Sequence, residues 1–66
     1  MNIEVELEAD GRWIAEAQAI PGALAYGEPH EAAVAKVESL VLRIPADRLD
    51  HGEPAAEVAE VFTVNA

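Results

Sequence analysis

Cysteine is absent from this 66-residue chain, lysine and arginine together number four, and Trp13, Tyr26 and Phe62 are its only aromatic residues. Each shortage excludes something. Without cysteine there is no disulfide, and two histidines with no thiol do not furnish a structural zinc cage. Four basic residues against 13 acidic ones leave a formal charge of −9. That balance opposes direct nucleic-acid binding, which needs lysine and arginine to displace counterions from phosphate. It also sets the chain against anionic membrane surfaces. No apolar run approaches the ~20 residues of a membrane span. The opening MNIEVELEADG alternates charge with hydrophobe where a signal peptide would need a basic segment and then an apolar one. A cytoplasmic protein is expected. Ser39 is the only serine and falls in a helical stretch, so no Ser-His-Asp set can be assembled. His30 and His51 are too far apart in sequence to share a metal by helix spacing. Neither an enzyme, nor a metal site, nor a cofactor is expected.

What the chain does have is alanine, 14 residues of it within a hydrophobic fraction of 52%. One small domain over residues 1–66 follows, with a thin core. A chain this short buries only ~60% of its unfolded surface, and area gain minus ordering entropy comes out near zero for such scaffolds. Self-association is the expected supplement, giving a homo-oligomer, a dimer or a tetramer. The negative charge would draw a basic protein partner and speed its encounter.

From Asn2 to Glu8, Ile3, Val5 and Leu7 alternate with Glu4, Glu6 and Glu8, the period of a strand with one wet and one buried face. A second alternating run, Arg12 to Ala19, puts Trp13, Ala15 and Ala17 on one face and Arg12, Ile14, Glu16 and Gln18 on the other. A two-residue loop at Asp10-Gly11 would pair Leu7 with Ile14 and mix the faces. A three-residue loop, Ala9-Asp10-Gly11 with Gly11 left-handed in a bulge, instead pairs Leu7 with Trp13, Val5 with Ala15 and Ile3 with Ala17. The hydrophobic pattern therefore selects the turn. Pro21-Gly22 supplies the central pair of a type II turn, after which Ala23 to Gly27 forms a third strand.

Gly27-Glu28-Pro29 reads as a strand end and helix start, with Pro29 suited to the first helical position and Glu28 and Glu31 near the positive end of the dipole. Ala33, Val37, Leu40, Val41 and Ile44 recur at helical spacing and should cover the sheet. Pro45 should kink or break this helix, but the pattern resumes over Ala46-Asp47-Arg48-Leu49-Asp50, so two collinear segments meeting at Pro45 are expected, with a stop at Gly52 and Pro54. A short final strand is placed near Glu60 to Val64. The fold class is α+β: a three-stranded antiparallel meander, one long helix packed on one face, and that last strand.

The segment DGRWIAEAQAIPGALAYGEPHEAAVAKVESL resembles the HicB-like antitoxins of toxin–antitoxin pairs, through Asp10, Gly11, Trp13, Pro21, Gly22, Gly27, Glu31 and Ala32. That family carries a D-G-x-W/Y hairpin, P-G near strand three, and a G-x-T-x-x-E-A helix start. The chain departs from it at Glu28-Pro29, where threonine often opens the helix, and at Pro45, inside a helix usually left uninterrupted. The resemblance implies a reduced ribonuclease-H-like layout without catalysis, and a partner similar to HicA toxins, small basic RNA-cleaving proteins. Full-length HicB-like repressors add a DNA-binding module, and this chain is expected to be a short, single-domain member without it. The function expected on this footing is neutralisation of a small basic ribonuclease toxin by occlusion. The alternative is an orphan oligomeric structural or interaction protein of the same fold with no toxin.

With the three-residue loop, Glu4 lies opposite Glu16 and Glu8 opposite Arg12, with Glu6 between, so several carboxylates share one strip. Three readings stand side by side. A magnesium site for phosphodiester hydrolysis would also want a pocket and basic groups, which the strip offers little of; a solvated sheet face explains alternating glutamates; and docking against a basic partner would use Glu4, Glu6, Glu8, Arg12 and Glu16. Trp13, paired with Leu7, is assigned to the core in preference to ligand stacking. Leu24 and Tyr26 could face the core or a neighbouring subunit. Ile14 and Ile20, apolar on the polar face of strand two, are expected at an oligomer interface together with Phe62. Asp10, Gly11, Trp13, Pro21, Gly22 and Gly27 are expected to set the shape.

Overall fold

The computed structural model describes residues 1–65. Its elements are β1 (Glu4–Leu7), β2 (Trp13–Glu16), β3 (Leu24–Gly27), the helix α1 (His30–Asp50) and a 3-10 helix over Ala56–Val61. The strands form one antiparallel sheet in the order β1-β2-β3. The architecture is α+β, a meander with α1 packed across one face.

Turn chemistry fixes the register. Glu8 and Arg12 close the first hairpin, the amide of Glu8 donating to the Arg12 carbonyl at 2.7 Å and that of Gly11 to the Glu8 carbonyl at 3.0 Å. Gly11 takes φ +90, the positive value the bulge requires. Leu7 consequently pairs with Trp13, Val5 with Ala15 and Glu4 with Glu16. The expected Ile3–Ala17 pair lies outside the ladder, because the chain turns early: the Ile20 amide donates to the Ala17 carbonyl at 3.0 Å and that of Ala23 to the Ile20 carbonyl at 3.0 Å, across Pro21-Gly22. Both outer strands and the central one are therefore only four residues long.

The core lies between sheet and helix and is largely alanine. Ala15, Ala17, Ile20, Ala23, Ala33 and Val37 form the buried cluster, with Ile3, Val5, Trp13, Leu40, Val41, Ile44 and Val58 packed against its margin. Small side chains let α1 approach closely. At Gly27 the approach leaves no room for a side chain, since a Cβ there would lie 2.6 Å from the Ala33 amide nitrogen.

Pro29 precedes the first helical residue as the N-cap, in extended conformation, one place earlier than its expected position. The two segments expected to meet at Pro45 form one continuous helix, with Pro45 buried inside it. Its end is a Schellman motif: the Glu53 amide donates to the Arg48 carbonyl at 2.8 Å and the Gly52 amide to the Leu49 carbonyl at 3.1 Å, with Gly52 at φ +74.

The expected strand at Glu60 to Val64 is not formed. Ala56–Val61 coil into a 3-10 helix instead, through short-range bonds such as Val58 amide to Ala55 carbonyl at 3.1 Å. The run AEVAEV has no period-two face to offer a sheet, and Glu57 is held by Arg48 of α1 at 3.0 Å. Phe62 is extended (φ −115, ψ 142) but has no strand beside it.

Candidate protein-binding surface

Strand alternation sends Val5, Ala15 and Ala25 toward α1 and the intervening residues to the other face. That outer face carries Glu4, Glu6 and Glu8 from the first strand segment, Arg12, Ile14 and Glu16 from the second, and Leu24 and Tyr26 from the third. Register brings Glu4 opposite Glu16, Glu6 opposite Ile14, Ile14 opposite Tyr26, and Glu16 opposite Leu24. A shallow depression lies over Glu4, Val5, Glu6, Ile14 and Glu16. Among the described residues α1 meets the sheet from the other side, through β3 and β2, and leaves this face open.

The surface is divided electrostatically. Among the described residues, Glu4, Glu6, Glu8 and Glu16 take part in no ion pair, and Glu4 faces Glu16 directly, an arrangement of like charges that costs stability. Arg12 does not neutralise them. Its guanidinium bonds Asp10 at 2.8 Å and lies 4.5 Å above the centre of the Tyr26 ring. The Arg12 amide, together with that ion pair, holds the Asp10 carboxyl below its ordinary pKa. Lys36 is occupied too, donating to the Tyr26 carbonyl at 3.1 Å on the open side of β3. The outcome is an acidic half around β1 and β2 beside an apolar band of Ile14, Leu24 and Tyr26.

Of the residues predicted from sequence, Glu4, Glu6 and Glu16 are brought together around Ile14, while Glu8 and Arg12 sit at the hairpin end. Ile20 requires a correction. At 1% exposure it is part of the core, because the turn after β2 swings it beneath the sheet, and a buried side chain has no surface to give a second subunit. Phe62 is 63% exposed. Trp13 is half-buried against the core and meets His30 edge-on, ring centres 4.9 Å apart, which ties the start of α1 to the hairpin. Leu24 and Tyr26, for which the sequence allows either the core or a neighbouring subunit, lie on the outer face. Continuing the first hairpin's alternation through the Pro21-Gly22 turn is the signal that assigns them.

A second partly covered cluster joins α1 to the 3-10 helix. Arg48 and Glu57 form their ion pair with side chains only 26% and 21% exposed, yet among the described residues Arg48 Nε and Nη2 and Glu57 Oε2 find no hydrogen-bond partner. Its own backbone amide, and then Arg48, keep the Glu57 carboxyl below the ordinary value. Among the described residues no group of three or more His, Asp or Glu could hold a metal ion. Among them, too, no helix is long and apolar enough to cross a membrane. Comparison with known proteins finds no match to any family model, curated protein or solved structure.

Proposed function

We propose that this chain is an antitoxin-like binding module, similar to the HicB-like family, whose outer sheet face covers a small basic ribonuclease of the HicA kind and blocks it by occlusion. The observation that carries the reading is the uncovered acidic face itself. Glu4 and Glu16 are held opposite one another with no counter-charge, beside an apolar centre at Ile14. A merely solvated sheet has no need of that unfavourable pairing, whereas a lysine-rich partner relieves it and gains fast encounter. Apolar residues within a charged rim are also the general anatomy of a protein interface. Arg12, the basic side chain of this face, is taken up by Asp10 and Tyr26 and is not aimed at a substrate phosphate, so the face suits binding better than catalysis. No cofactor enters this reading.

A second reading, an orphan oligomeric module without a toxin, draws support from the small core. One experiment separates them. The tagged chain is recovered from its native cells at moderate salt, which keeps charge-driven contacts from being screened away, and everything that co-elutes is identified by mass spectrometry. The expected outcome is one small basic protein whose ribonuclease activity falls on addition of this chain. Replacing Glu4, Glu6 and Glu16 by lysine should abolish that inhibition while the circular dichroism spectrum is retained. Inhibition undiminished by the triple substitution overturns the acidic-face reading, and recovery of the chain alone as a defined oligomer favours the orphan.

A further inference from the structure

The second half of α1 reaches past the sheet. Val41, Leu42, Pro45 and Leu49, with Met1 on one side and Val58, Val61 and Phe62 of the C-terminal segment on the other, line an apolar groove that carries no charged side chain. Single exposed leucines are ordinary on protein surfaces; a contiguous group is not. Leu42 is 75% exposed and Val61 74%, beside Phe62. We propose that this groove is the docking face for a second copy of the chain, forming a two-fold dimer.

Three observations commit the groove to that occupant. The first is area. A compact monomer of 7.0 kDa exposes about 4,040 Å². This chain exposes 4818 Å², an excess of about 780 Å². The excess is that of the elongated chain as a whole; a stable dimer of standard size buries about 800 Å² per partner, and Met1, Leu42, Leu49, Val61 and Phe62, each more than half exposed, give the groove apolar surface to contribute to it. The second is charge. The chain bears −9, so two copies repel wherever their carboxylates meet. The groove offers two such chains a place to touch that no carboxylate lines, whereas the outer sheet face would set Glu4, Glu6 and Glu16 of one copy against those of the other. The third is spacing. Leu42, Pro45 and Leu49 stand three and four residues apart along one helix, the spacing that aligns side chains on a single face for a second helix to pack against.

The groove shares no residue with the acidic face, and the proposal stands whether or not a toxin partner exists. Its test uses the whole chain alone. Sedimentation equilibrium from about 1 to 100 μM should give a mass twice 7.0 kDa at the upper concentrations. Leu42→Glu and, separately, Phe62→Asp should each weaken self-association at least tenfold with unchanged far-ultraviolet circular dichroism. Because Leu42 is exposed, its replacement has little folded packing to disturb. Ile14→Glu should leave the dimer intact. A wild-type chain that stays monomeric at 100 μM overturns the proposal and gives the groove to another occupant. A dimer insensitive to Leu42→Glu and Phe62→Asp, or one dissolved by Ile14→Glu, overturns it by locating the contact elsewhere.

Discussion

Gly27 is the residue on which sheet and helix depend most directly. A methyl group there would sit 2.6 Å from the Ala33 amide and 2.9 Å from the Ala32 carbonyl carbon, both backbone atoms that cannot rotate away. Gly27→Ala should therefore cost about 1–3 kcal/mol by overpacking, read as a fall in Tm on the order of 10 °C for a domain this small. Glu16 presents the opposite case. Its side chain faces Glu4 without a counter-charge, so Glu16→Gln should raise stability by about 0.2–1 kcal/mol. The same substitution should weaken capture of a basic partner. A thermal melt and a pull-down on one protein sample check both directions, and a variant that loses stability would mean the pair is not repulsive. Asp10-Gly11 and Pro21-Gly22 could be read from sequence because their demands are local: a positive φ is required at one place and the pattern says where. Ile20 could not. Its burial depends on where the chain turns after β2, a matter of hydrogen bonds among Ala17, Ile20 and Ala23 that no periodicity encodes.

The longest element was legible in its face but not in its continuity. Ala33, Val37, Leu40, Val41 and Ile44 announce the stripe that meets the sheet, while Pro45 argues against an unbroken helix. The helix runs through because Pro45 is buried among neighbours that hold it, at the cost of one missing donor. Pro45→Ala should restore that hydrogen bond and recover up to about 3 kcal/mol of helix preference, less about 1–2 kcal/mol for the lost ring burial. A net gain on the order of 1 kcal/mol is expected in denaturant unfolding. The C-terminal segment departs from the expected strand for a related reason: it docks on α1 through Arg48 and Glu57, a contact nine residues apart in sequence that a period-two pattern does not encode. That docking should carry a pH dependence. Asp10 and Glu57 both titrate below their ordinary values in the folded chain, so they bind protons more readily when it is unfolded. Their contribution is complete above the ordinary carboxylate range and disappears as pH falls through the lowered folded values. Melting temperature should drop on acidification below about pH 4, and the drop should be shallower in Glu57→Gln, which is already without that charge at pH 7.

At the scale of the whole molecule, the chain is 51 Å long and only 20 and 15 Å across, with a radius of gyration of 13.9 Å where a compact domain of 66 residues has about 11 Å. Length of this kind is expensive for a core made of alanine. Among the described residues the fully buried large side chains are Ile20 and Val37 alone, each contributing about 1.5–3 kcal/mol, so much of the apolar contribution rests on the half-buried residues around them. If the groove along α1 closes on a second copy, association adds to the stability of the folded chain, and that stability must rise with concentration. For a dimer that unfolds to two chains, each tenfold increase in concentration adds about 1.4 kcal/mol. Divided by the unfolding entropy of two 66-residue chains, this raises Tm by about 5 °C. Calorimetry at 5, 50 and 500 μM should show that climb for the wild type and for Ile14→Glu, and a flat, lower Tm for Leu42→Glu. A wild-type Tm constant over that hundredfold range would mean that the alanine core holds the fold unaided.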